Sequence, residues 1–327
     1  MRSRRHSVDF RSRFESNAPL IYSHYERQSA LDGNINFWQV GKQGKEITGK
    51  GYLPAMSEKQ HWPEDISWHP TGRRIVAVYS ADQNDTQVAV IKNSVDKKPK
   101  ITFLPNKPHD RGLLNSVVFL AWDDYSHFIT GGSDHGVAMW SATEDSKELK
   151  VKMIHRDVHS SAVSGVDGLR HRAIILSGGM DKRICGFDPK RDRAIYLKIL
   201  DNKIVSVMLN PQDDNLFLVQ LGTKERQLRL FDFRSDRREL HSFGWQQSSD
   251  TLSALIRPSW SPNGLYIATG SSDPKLHVFD IRYTGRSPAQ TISVHTKRVL
   301  RVEWHPTWPL LTSISSDLCI GMHSFQN

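Results

Sequence analysis

Residues 265–280 read Leu265-Tyr-Ile-Ala-Thr-Gly-Ser-Ser-Asp-Pro-Lys-Leu-His-Val-Phe-Asp280. Two runs rich in aliphatic and aromatic residues flank a short polar turn that contains Asp273, which is the pattern of two β-strands joined by a tight connection. Six further polar turns carry an acidic residue at intervals of 44 to 53 positions: Asp32, Asp85, Asp134, Asp181, Glu225 and Asp317. The recurrence indicates seven copies of one structural repeat.

The residues around each acidic position follow one pattern. Three positions after it stands an aliphatic residue in every copy: Ile35, Val88, Val137, Ile184, Leu228, Leu276 and Ile320. An apolar run precedes each acidic residue, an earlier one ends in motifs such as Ser259-Trp260-Ser-Pro262, and a more polar segment fits each connection. Because side chains of a strand alternate between faces, each repeat predicts four strands.

The repeat resembles that of the WD-repeat family, whose repeats of roughly 40–45 residues form four-stranded propeller blades. The resemblance covers nearly the whole chain and implies an all-β, seven-bladed WD-repeat β-propeller over residues 7–327, after a basic segment at residues 1–6. We place the first strand of the first repeat at Ser7, and the chain ends just after the third strand of the last repeat. We therefore expect ring closure by the N-terminus to be weak or incomplete, or the chain to be a trimmed form of a longer product.

Members of the family often carry a hydrogen-bonded tetrad of His, Ser/Thr, Asp and Trp. The resemblance implies a full tetrad in the third repeat and partial ones in the fourth and seventh: His109, Thr130, Asp134 and Trp140; His159, Ser177 and Asp181; His295, Ser313 and Asp317. Phe187 and His323 stand in place of Trp in the partial tetrads. The second and fifth repeats lack the hydroxyl residue, so we expect apolar packing alone to hold them, and tetrad-based stability arguments to apply to the third repeat only.

The composition describes a globular chain with a basic balance. Its 327 residues are 38% hydrophobic and carry a net charge of +9, which favours an acidic partner. Apolar runs fall far short of the roughly 20 residues of a membrane-spanning helix, so we expect no membrane association. Two cysteines, Cys185 and Cys319, are too few for a disulfide framework and favour a reducing compartment.

No enzyme or cofactor motif is complete. Gly44-Lys-Glu-Ile-Thr-Gly-Lys-Gly51 nearly matches a phosphate-binding P-loop, but Gly51 stands where Ser or Thr must hold Mg²⁺. His155 and His159 have the i, i+4 spacing of a helical metal site, yet their segment predicts a connection between blades. No sequence context for a Ser-His-Asp triad is present. We expect no enzyme activity, no cofactor, no metal and no small-molecule substrate.

Basic residues cluster near the turns between second and third strands. In a propeller these turns lie on one rim, so Lys182, Arg183, Lys275 and Arg298 are expected to share a surface for an acidic peptide, a phosphate or a nucleic acid. The alternative interpretation is a solvated rim that binds nothing. Lys97-Lys-Pro-Lys100 likewise leaves two alternatives, a nuclear import signal and an ordinary charged turn.

Two third strands end in an Asp-x-Arg sequence: Phe231-Asp232-Phe233-Arg234 and Phe279-Asp280-Ile281-Arg282. Both resemble the Trp-Asp-x-Arg box of WD-repeat substrate receptors of cullin-RING ubiquitin ligases, with Phe where Trp is usual. The resemblance implies that these Asp and Arg residues bind the damaged-DNA-binding adaptor. Because the third strand runs from the acidic turn at one rim to the Asp-x-Arg at the other, we expect both arginines to lie on the face opposite the basic turns. The structural alternative is that each Arg pairs with a neighbouring blade.

These features together predict a non-enzymatic protein-interaction scaffold in the nucleus, the cytoplasm or both. One hypothesis is a substrate receptor of a cullin-RING ligase that binds its adaptor through the Asp-x-Arg boxes. The other is a nucleic-acid or chromatin-associated module that uses the basic rim. An affinity that falls steeply with ionic strength distinguishes the second hypothesis from the first.

Overall fold

The computed structural model describes residues 7–9, 19–23, 35–40, 47–53, 63–69, 72, 74–80, 87–94, 97–120, 122, 127–142, 149–169, 173–235, 239–247 and 253–324. All regular structure in these residues is β-strand. The chain divides into two compact units. The first contains Met1–Leu20, Phe37–Gly51 and Met208–Asn327, and the second contains Ile21–Asn36 and Tyr52–Val207. Residues 1–6 and the acidic turn residues Asp32 and Asp85 lie outside the described residues.

The strands are numbered in chain order. They are β1 (Ser7–Asp9), β2 (Pro19–Ser23), β3 (Ile35–Val40), β4 (Ile47–Leu53), β5 (Asp65–Trp68), β6 (Arg74–Val78), β7 (Val88–Ser94), β8 (Lys97–Phe103), β9 (Leu114–Phe119), β10 (His127–Gly132), β11 (Val137–Ala142), β12 (Leu149–His155), β13 (Val163–Gly168), β14 (Ile175–Gly179), β15 (Arg183–Asp188) and β16 (Arg193–Ile199). The series continues with β17 (Ile204–Leu209), β18 (Leu216–Leu221), β19 (Leu228–Asp232), β20 (His241–Phe243), β21 (Ser259–Trp260), β22 (Tyr266–Thr269), β23 (Lys275–Asp280), β24 (Gln290–Ser293), β25 (Val299–Trp304), β26 (Leu310–Ser315) and β27 (Cys319–Ser324).

Consecutive strands form antiparallel sheets of the β-propeller type. Five four-stranded sheets contain β5–β8, β9–β12, β13–β16, β17–β20 and β21–β24, and a sixth has the order β1-β27-β26-β25. We call these blades two to seven. The remaining sheet has the order β2-β3-β4, so the first repeat shows three strands among the described residues. The described residues therefore form six complete blades, whereas the sequence predicts seven.

The fourth strand of blade seven is not the one that the sequence predicts. Ser7 does not begin the first repeat, because Ser7, Val8 and Asp9 pair antiparallel with Gly321, Ile320 and Cys319. β1 is thus the fourth strand of blade seven, and the prediction that this blade lacks an outer strand beyond residues 1–6 is wrong. The physical reason is that backbone groups alone satisfy the edge of β27, and three residues of backbone pairing leave no periodic pattern in a sequence.

The middle strands of each blade supply the core. Every residue of β14 and β26 is buried, whereas exposed and partly buried positions alternate along the outer strand β16 and over the first five residues of β12. Between blades two and three, Val76, Val88, Leu114, Phe128 and Trp140 belong to one apolar cluster. Full burial of each such side chain stabilises the fold by about 1.5–3 kcal/mol, which explains the aliphatic position three residues after each acidic turn.

Candidate functional site: blade corners and the networks behind them

The tetrad of blade three is a closed hydrogen-bond relay. His109 Nδ1 lies 2.8 Å from Asp134 Oδ1, His109 Nε2 lies 2.9 Å from Thr130 Oγ1, and the Trp140 indole N–H donates to Thr130 Oγ1 over 3.1 Å. Because a carboxylate only accepts, His109 Nδ1 carries the hydrogen, Nε2 accepts from the Thr130 hydroxyl, and that hydroxyl accepts from Trp140. Thr130 and Trp140 are completely buried, so each group depends on its protein partner.

Blade seven contains the same chain of hydrogen bonds, but a histidine takes the place of the tryptophan as the donor to the hydroxyl group. His295 Nδ1 lies 3.1 Å from Asp317 Oδ2, and His295 Nε2 lies 2.8 Å from Ser313 Oγ. His323 Nε2 lies 2.9 Å on the other side of Ser313 Oγ. The direction of the relay therefore assigns the hydrogen to His323 Nε2, whose N–H replaces the indole N–H of a tryptophan.

Blade four takes its last donor from the preceding blade's outer strand. His159 lies 3.1 Å from Asp181 Oδ1 and 2.9 Å from Ser177 Oγ, while Phe187 has no N–H to offer. His155 Nε2, at the end of β12, approaches Ser177 Oγ to 3.5 Å. Three blades thus contain a relay, so the expectation that tetrad arguments apply to the third repeat alone is wrong. The His155/His159 spacing is explained by this shared hydroxyl.

The acidic residue of each relay also builds its hairpin turn. Asp134 Oδ1 accepts the N–H of Gly136 over 3.2 Å, and Oδ2 accepts the N–H of Asp110 over 3.2 Å. Asp181 and Asp317 accept the equivalent N–H groups, which belong to Arg183, Ser160, Cys319 and Thr296. In all three relays the residue after the acidic position adopts a left-handed conformation: His135 with φ 69°, Lys182 with φ 69° and Leu318 with φ 67°. The side-chain bond across the turn explains why a residue other than glycine is held there.

Burial and hydrogen bonds oppose each other at these carboxylates. Burial alone would raise the pKa of Asp134, but the hydrogen bond and charge of His109 and the backbone N–H of Gly136 outweigh it, so the pKa of Asp134 is lowered. The pKa values of Asp181 and Asp317 are lowered for corresponding reasons. Burial lowers the pKa of His159 and of His295 in spite of their carboxylate partners. His159 and His295 are therefore neutral, and Asp134, Asp181 and Asp317 ionised, in the resting state.

Two glutamines hold the blades that lack a hydroxyl residue. Gln87 Nε2 donates to His109 O over 2.5 Å, and its Oε1 accepts from His109 N over 3.2 Å. Gln227 makes the same pair of bonds to Trp245, at 2.9 and 3.1 Å. Both stand two residues after the acidic turn position, and both are buried. The expectation that apolar packing alone holds blades two and five is wrong, since a side-chain amide pairs there with backbone as a strand would.

The Gln227 contact leads to a testable expectation. Gln227→Leu keeps the side-chain volume but leaves the buried N–H and C=O of Trp245 and the C=O of Lys224 without these bonds. We expect the free energy of unfolding, measured by urea titration, to fall by about 1–3 kcal/mol. The matched control is Gln246→Leu at an adjacent exposed position, where the expected change is within about 0.5 kcal/mol. Equal effects of the two variants would contradict the role of the amide.

Each Asp-x-Arg sequence forms a rigid corner at the end of a third strand. In blade five, Arg234 Nε and Nη2 donate to the two oxygens of Asp232 over 3.0 and 2.6 Å, and Arg234 N donates to Asp232 Oδ1 over 2.8 Å. The Asp232 side chain is 10% exposed and that of Arg234 is 65% exposed. A mostly buried carboxylate thus fixes an exposed guanidinium from within the same blade.

Blade six repeats the corner and adds two aromatic contacts. Arg282 Nε and Nη2 donate to Asp280 over 2.9 and 2.6 Å, and Nη2 also reaches Tyr266 Oη at 2.9 Å. Its guanidinium lies over the rings of Tyr266 and Tyr283. The hydrogen bonds from the arginines lower the pKa values of Asp232 and Asp280 and raise those of Arg234 and Arg282. Among the described residues, each of these arginines pairs with the aspartate of its own blade.

Blade four contains a third corner, which the Asp-x-Arg spacing does not predict. Arg191 Nη1 donates to Asp188 Oδ2 over 2.7 Å, and Asp188 Oδ1 accepts the N–H groups of Lys190 and Arg191. The arginine stands three residues after the aspartate instead of two, so the pair does not match the Asp-x-Arg spacing. The signal that would have found it is the position of Asp188 at the end of a third strand, as in Asp232 and Asp280.

The predicted basic residues occupy turns in both compact units. Lys182 and Arg183 follow Asp181, whereas Lys275 begins β23 and Arg298 precedes β25. Arg183 Nη1 donates to Val158 O over 2.9 Å, and Arg298 Nε donates to Ser316 Oγ over 3.0 Å. Lys182, Lys275 and Arg298 are exposed. Within blade six, Lys275 and Asp280 stand at opposite ends of the same strand.

The described residues contain neither a cluster of metal-binding side chains nor a membrane-spanning helix. No group of three His, Cys, Asp or Glu side chains in that part of the chain is arranged to hold a metal ion. The same residues contain no helix with the length and apolar character needed to cross a bilayer.

Comparison with known proteins identifies the repeat. Residues 239–280 match the family model described as WD domain, G-beta repeat. The chain is 24% identical over 256 residues to the ribosome biogenesis protein WDR12 homolog of Drosophila erecta, covering 75% of this chain and 56% of that protein. It is 26% identical over 201 residues to DDB1- and CUL4-associated factor 13 of Xenopus tropicalis, covering 61% and 43%. It is 38% identical over 72 residues to the U5 small nuclear ribonucleoprotein 40 kDa protein of Mus musculus, covering 22% and 20%.

The antiparallel four-stranded blades and the acidic turns define a repeat protein of the β-propeller class. The matched repeat and the relatives make the chain similar to WD-repeat proteins, and a protein-interaction scaffold is the role that this class of protein supports. The chain spans about half the length of the curated WDR12 relatives that it matches.

Proposed function

We propose that this chain is a non-enzymatic substrate receptor of a cullin-RING ubiquitin ligase that works in the nucleus. It is built as a seven-bladed propeller over residues 7–327, preceded by a basic segment at residues 1–6. Six four-stranded blades, the sheet β2–β4 and seven acidic turns support the number of blades. Similarity to DDB1- and CUL4-associated factor 13 supports the ligase, and similarity to a small nuclear ribonucleoprotein component supports the location.

The observation that carries the proposal is the pair of arginine corners on consecutive blades. In each corner the Asp accepts hydrogen bonds from Nε and Nη2 of the Arg, and no hydrogen bond joins Nη1 to the described residues, so its donors can serve a partner. Because the Asp holds the arginine in one conformation, binding costs less side-chain entropy than it would for a mobile arginine. An exposed, oriented arginine is the kind of side chain that dominates binding at protein interfaces.

The corners keep their charge over the physiological range. The lowered pKa values of Asp232 and Asp280 and the raised values of Arg234 and Arg282 favour the ionised pair. Adaptor binding through these corners should therefore not change between mildly acidic and neutral pH on account of the corners themselves.

The test is the double variant Arg234→Ala with Arg282→Ala. We expect its affinity for purified damaged-DNA-binding adaptor, measured by titration calorimetry, to fall at least about tenfold, because both oriented donors are lost. The matched control is Arg191→Ala, which removes another exposed arginine, that of the corner in blade four. We expect that control to bind as the unchanged protein does. A folded double variant with undiminished adaptor affinity would show that the corners are not the contact.

A second variant separates binding from folding. Arg234→Lys with Arg282→Lys keeps the charges but cannot form the bidentate pair with the Asp. If the alanine variant aggregates, the lysine variant keeps the proposal testable: folded protein with weak adaptor binding supports it, and folded protein with full binding contradicts it. The thermal midpoint of each variant serves as the measure of folding.

The second candidate is a nucleic-acid or chromatin-associated module that uses the basic residues Lys182, Arg183, Lys275 and Arg298. The net charge of +9 favours it, as does similarity to a ribosome biogenesis protein and to a ribonucleoprotein component. Its signature is a binding constant that falls steeply with salt, because phosphate contacts release counterions. Adaptor binding through two arginines has a weaker salt dependence, so one salt series on each ligand separates the two functions.

A further inference from the structure

The outer strand of blade four presents an aliphatic stripe to solvent. Ile195, Leu197 and Ile199 alternate along β16 and are 44%, 63% and 70% exposed. Alternate residues of a strand share one face, so the three side chains lie in a row. β16 is the last strand in the sheet order β13-β14-β15-β16, so its outer edge has no strand partner among the described residues.

Other outer strands expose polar residues at the equivalent positions. β12 exposes Lys150 and Lys152, β24 exposes Thr291 and Ser293, and β8 exposes Thr102. Within the described residues, β16 is the only outer strand with aliphatic side chains at its exposed positions. Proteins usually protect edge strands with lysine or polar residues, so an edge that lacks this protection marks a surface that another strand covers.

The backbone of β16 is oriented for further pairing. Leu200 N donates to Lys182 O over 2.9 Å, and Lys198 and Tyr196 pair with Ile184 and Gly186 of β15. Because N–H and C=O groups of successive residues point to opposite sides of a strand, those of Leu197 and Ile199 point to the open edge. A bulge interrupts the register next to Tyr196, so the regular part of this edge is short.

We propose that a second copy of this chain pairs with this edge, antiparallel about a two-fold axis at Leu197. Residues 193–201 read Arg193-Ala-Ile-Tyr-Leu197-Lys-Ile-Leu-Asp201. In this register Leu197 faces its own copy, Ile195 faces Ile199, and Arg193 faces Asp201. The strand is thus complementary to itself in both apolar character and charge, as a two-fold interface requires. A parallel pairing would instead place Arg193 against Arg193.

The size of the contact sets the expected strength. In this register the residues of each copy that face the other are Arg193, Ile195, Leu197, Ile199 and Asp201. The area that they bury is smaller than that of a standard protein interface, so we expect a dissociation constant on the order of 10–100 µM. The inference does not rest on the proposed ligase function, because β16 and the arginine corners Asp232/Arg234 and Asp280/Arg282 are separate features.

The test is sedimentation equilibrium of the full chain from about 1 to 300 µM at low salt. We expect the mean mass to rise from 37.3 kDa towards twice that value with concentration. Leu197→Lys places two like charges at the axis and should keep the protein monomeric, while its thermal midpoint stays near that of the unchanged protein because the site is exposed. The control Thr102→Lys adds the same charge to the outer strand of blade two and should dimerise normally.

A charge exchange tests the register. Arg193→Asp and Asp201→Arg each place like charges opposite one another in a homodimer, so each alone should dimerise about tenfold more weakly. When the two variants are mixed in equal amounts, they can form a heterodimer in which every facing pair again has opposite charges. Dimerisation of the mixture should therefore return to the level of the unchanged protein. Three results would overturn the proposal: a monomer at all concentrations, a dimer that Leu197→Lys leaves intact, or a mixture no stronger than its components. A chain that stays monomeric at all concentrations but binds a different protein through β16 would likewise overturn the proposal.

Discussion

Trp140→Ala is expected to lower the free energy of unfolding by about 3–5 kcal/mol, measured by urea titration. The side chain is completely buried, stacks on Phe128 with ring centroids 5.5 Å apart, and packs between blades two and three. Its removal leaves a cavity and also deprives the Thr130 hydroxyl of its donor. The loss of packing and the loss of the hydrogen bond act together, so the expected effect of this substitution is large.

Two further variants separate packing from hydrogen bonding. Trp140→Phe keeps most of the ring but loses the N–H, so we expect a loss of about 1–2 kcal/mol. Trp308→Ala makes the same change at a half-buried turn position, where Trp308 stacks on His305. We expect it to lower the free energy of unfolding clearly less than Trp140→Ala does. If Trp308→Ala were as damaging as Trp140→Ala, burial and the relay would not be the cause of the large effect.

Acidification from pH 7.5 to pH 5 is expected to destabilise the protein through its buried histidines. Burial lowers the pKa of His155, of His277 and of His323 to about 4. Repulsion from the charge of Lys275, and from the charge that His159 and His295 acquire when they are protonated, acts in the same direction. An unfolded chain binds these protons from about pH 6.5 downwards, because the ordinary pKa of histidine is near that value. The stability is therefore fully present above about pH 6.5 and falls as the pH falls towards 4, by about 2 kcal/mol per histidine at pH 5.

His323→Gln tests this origin of the acid sensitivity. Glutamine offers an N–H to Ser313 but cannot be protonated, so the loss between pH 7.5 and pH 5 should shrink by about 2 kcal/mol. The measurement is the free energy of unfolding in urea at a series of pH values. Met322→Leu, a buried neighbour on β27, is the control: it changes packing but should leave the pH dependence unaltered. An unchanged slope in His323→Gln would contradict the explanation.

The sequence predicted the parts of this fold that repeat. An acidic residue followed by an aliphatic one three positions later indicates a hairpin, because the carboxylate closes the turn and the aliphatic side chain enters the core. The three relays were visible as recurring His, Ser/Thr and Asp residues. The role of His323 as the last donor was not, because an imidazole donates only in one tautomer and its partner Ser313 selects that tautomer.

The sequence failed where a contact leaves no periodic pattern. β1 was assigned to the first repeat because three residues of edge pairing carry no side-chain signal, and only the position of β27 reveals their partner. Gln87 and Gln227 occupy one equivalent position in two repeats, yet an amide in a strand pattern looks like any polar residue until the backbone it bonds is known.

The amino-acid sequence by itself determined the class of this protein: seven acidic turns, four strands per repeat and two Asp-x-Arg sequences follow from local periodicity and from turn chemistry between near neighbours. Tertiary structure alone decided which blade each terminal strand completes, that the arginine corners close on their own aspartates, and that Ile195, Leu197 and Ile199 of β16 face solvent. The reason is physical: a strand pattern shows which residues share a face, but the covering of that face depends on a neighbour far away in the chain.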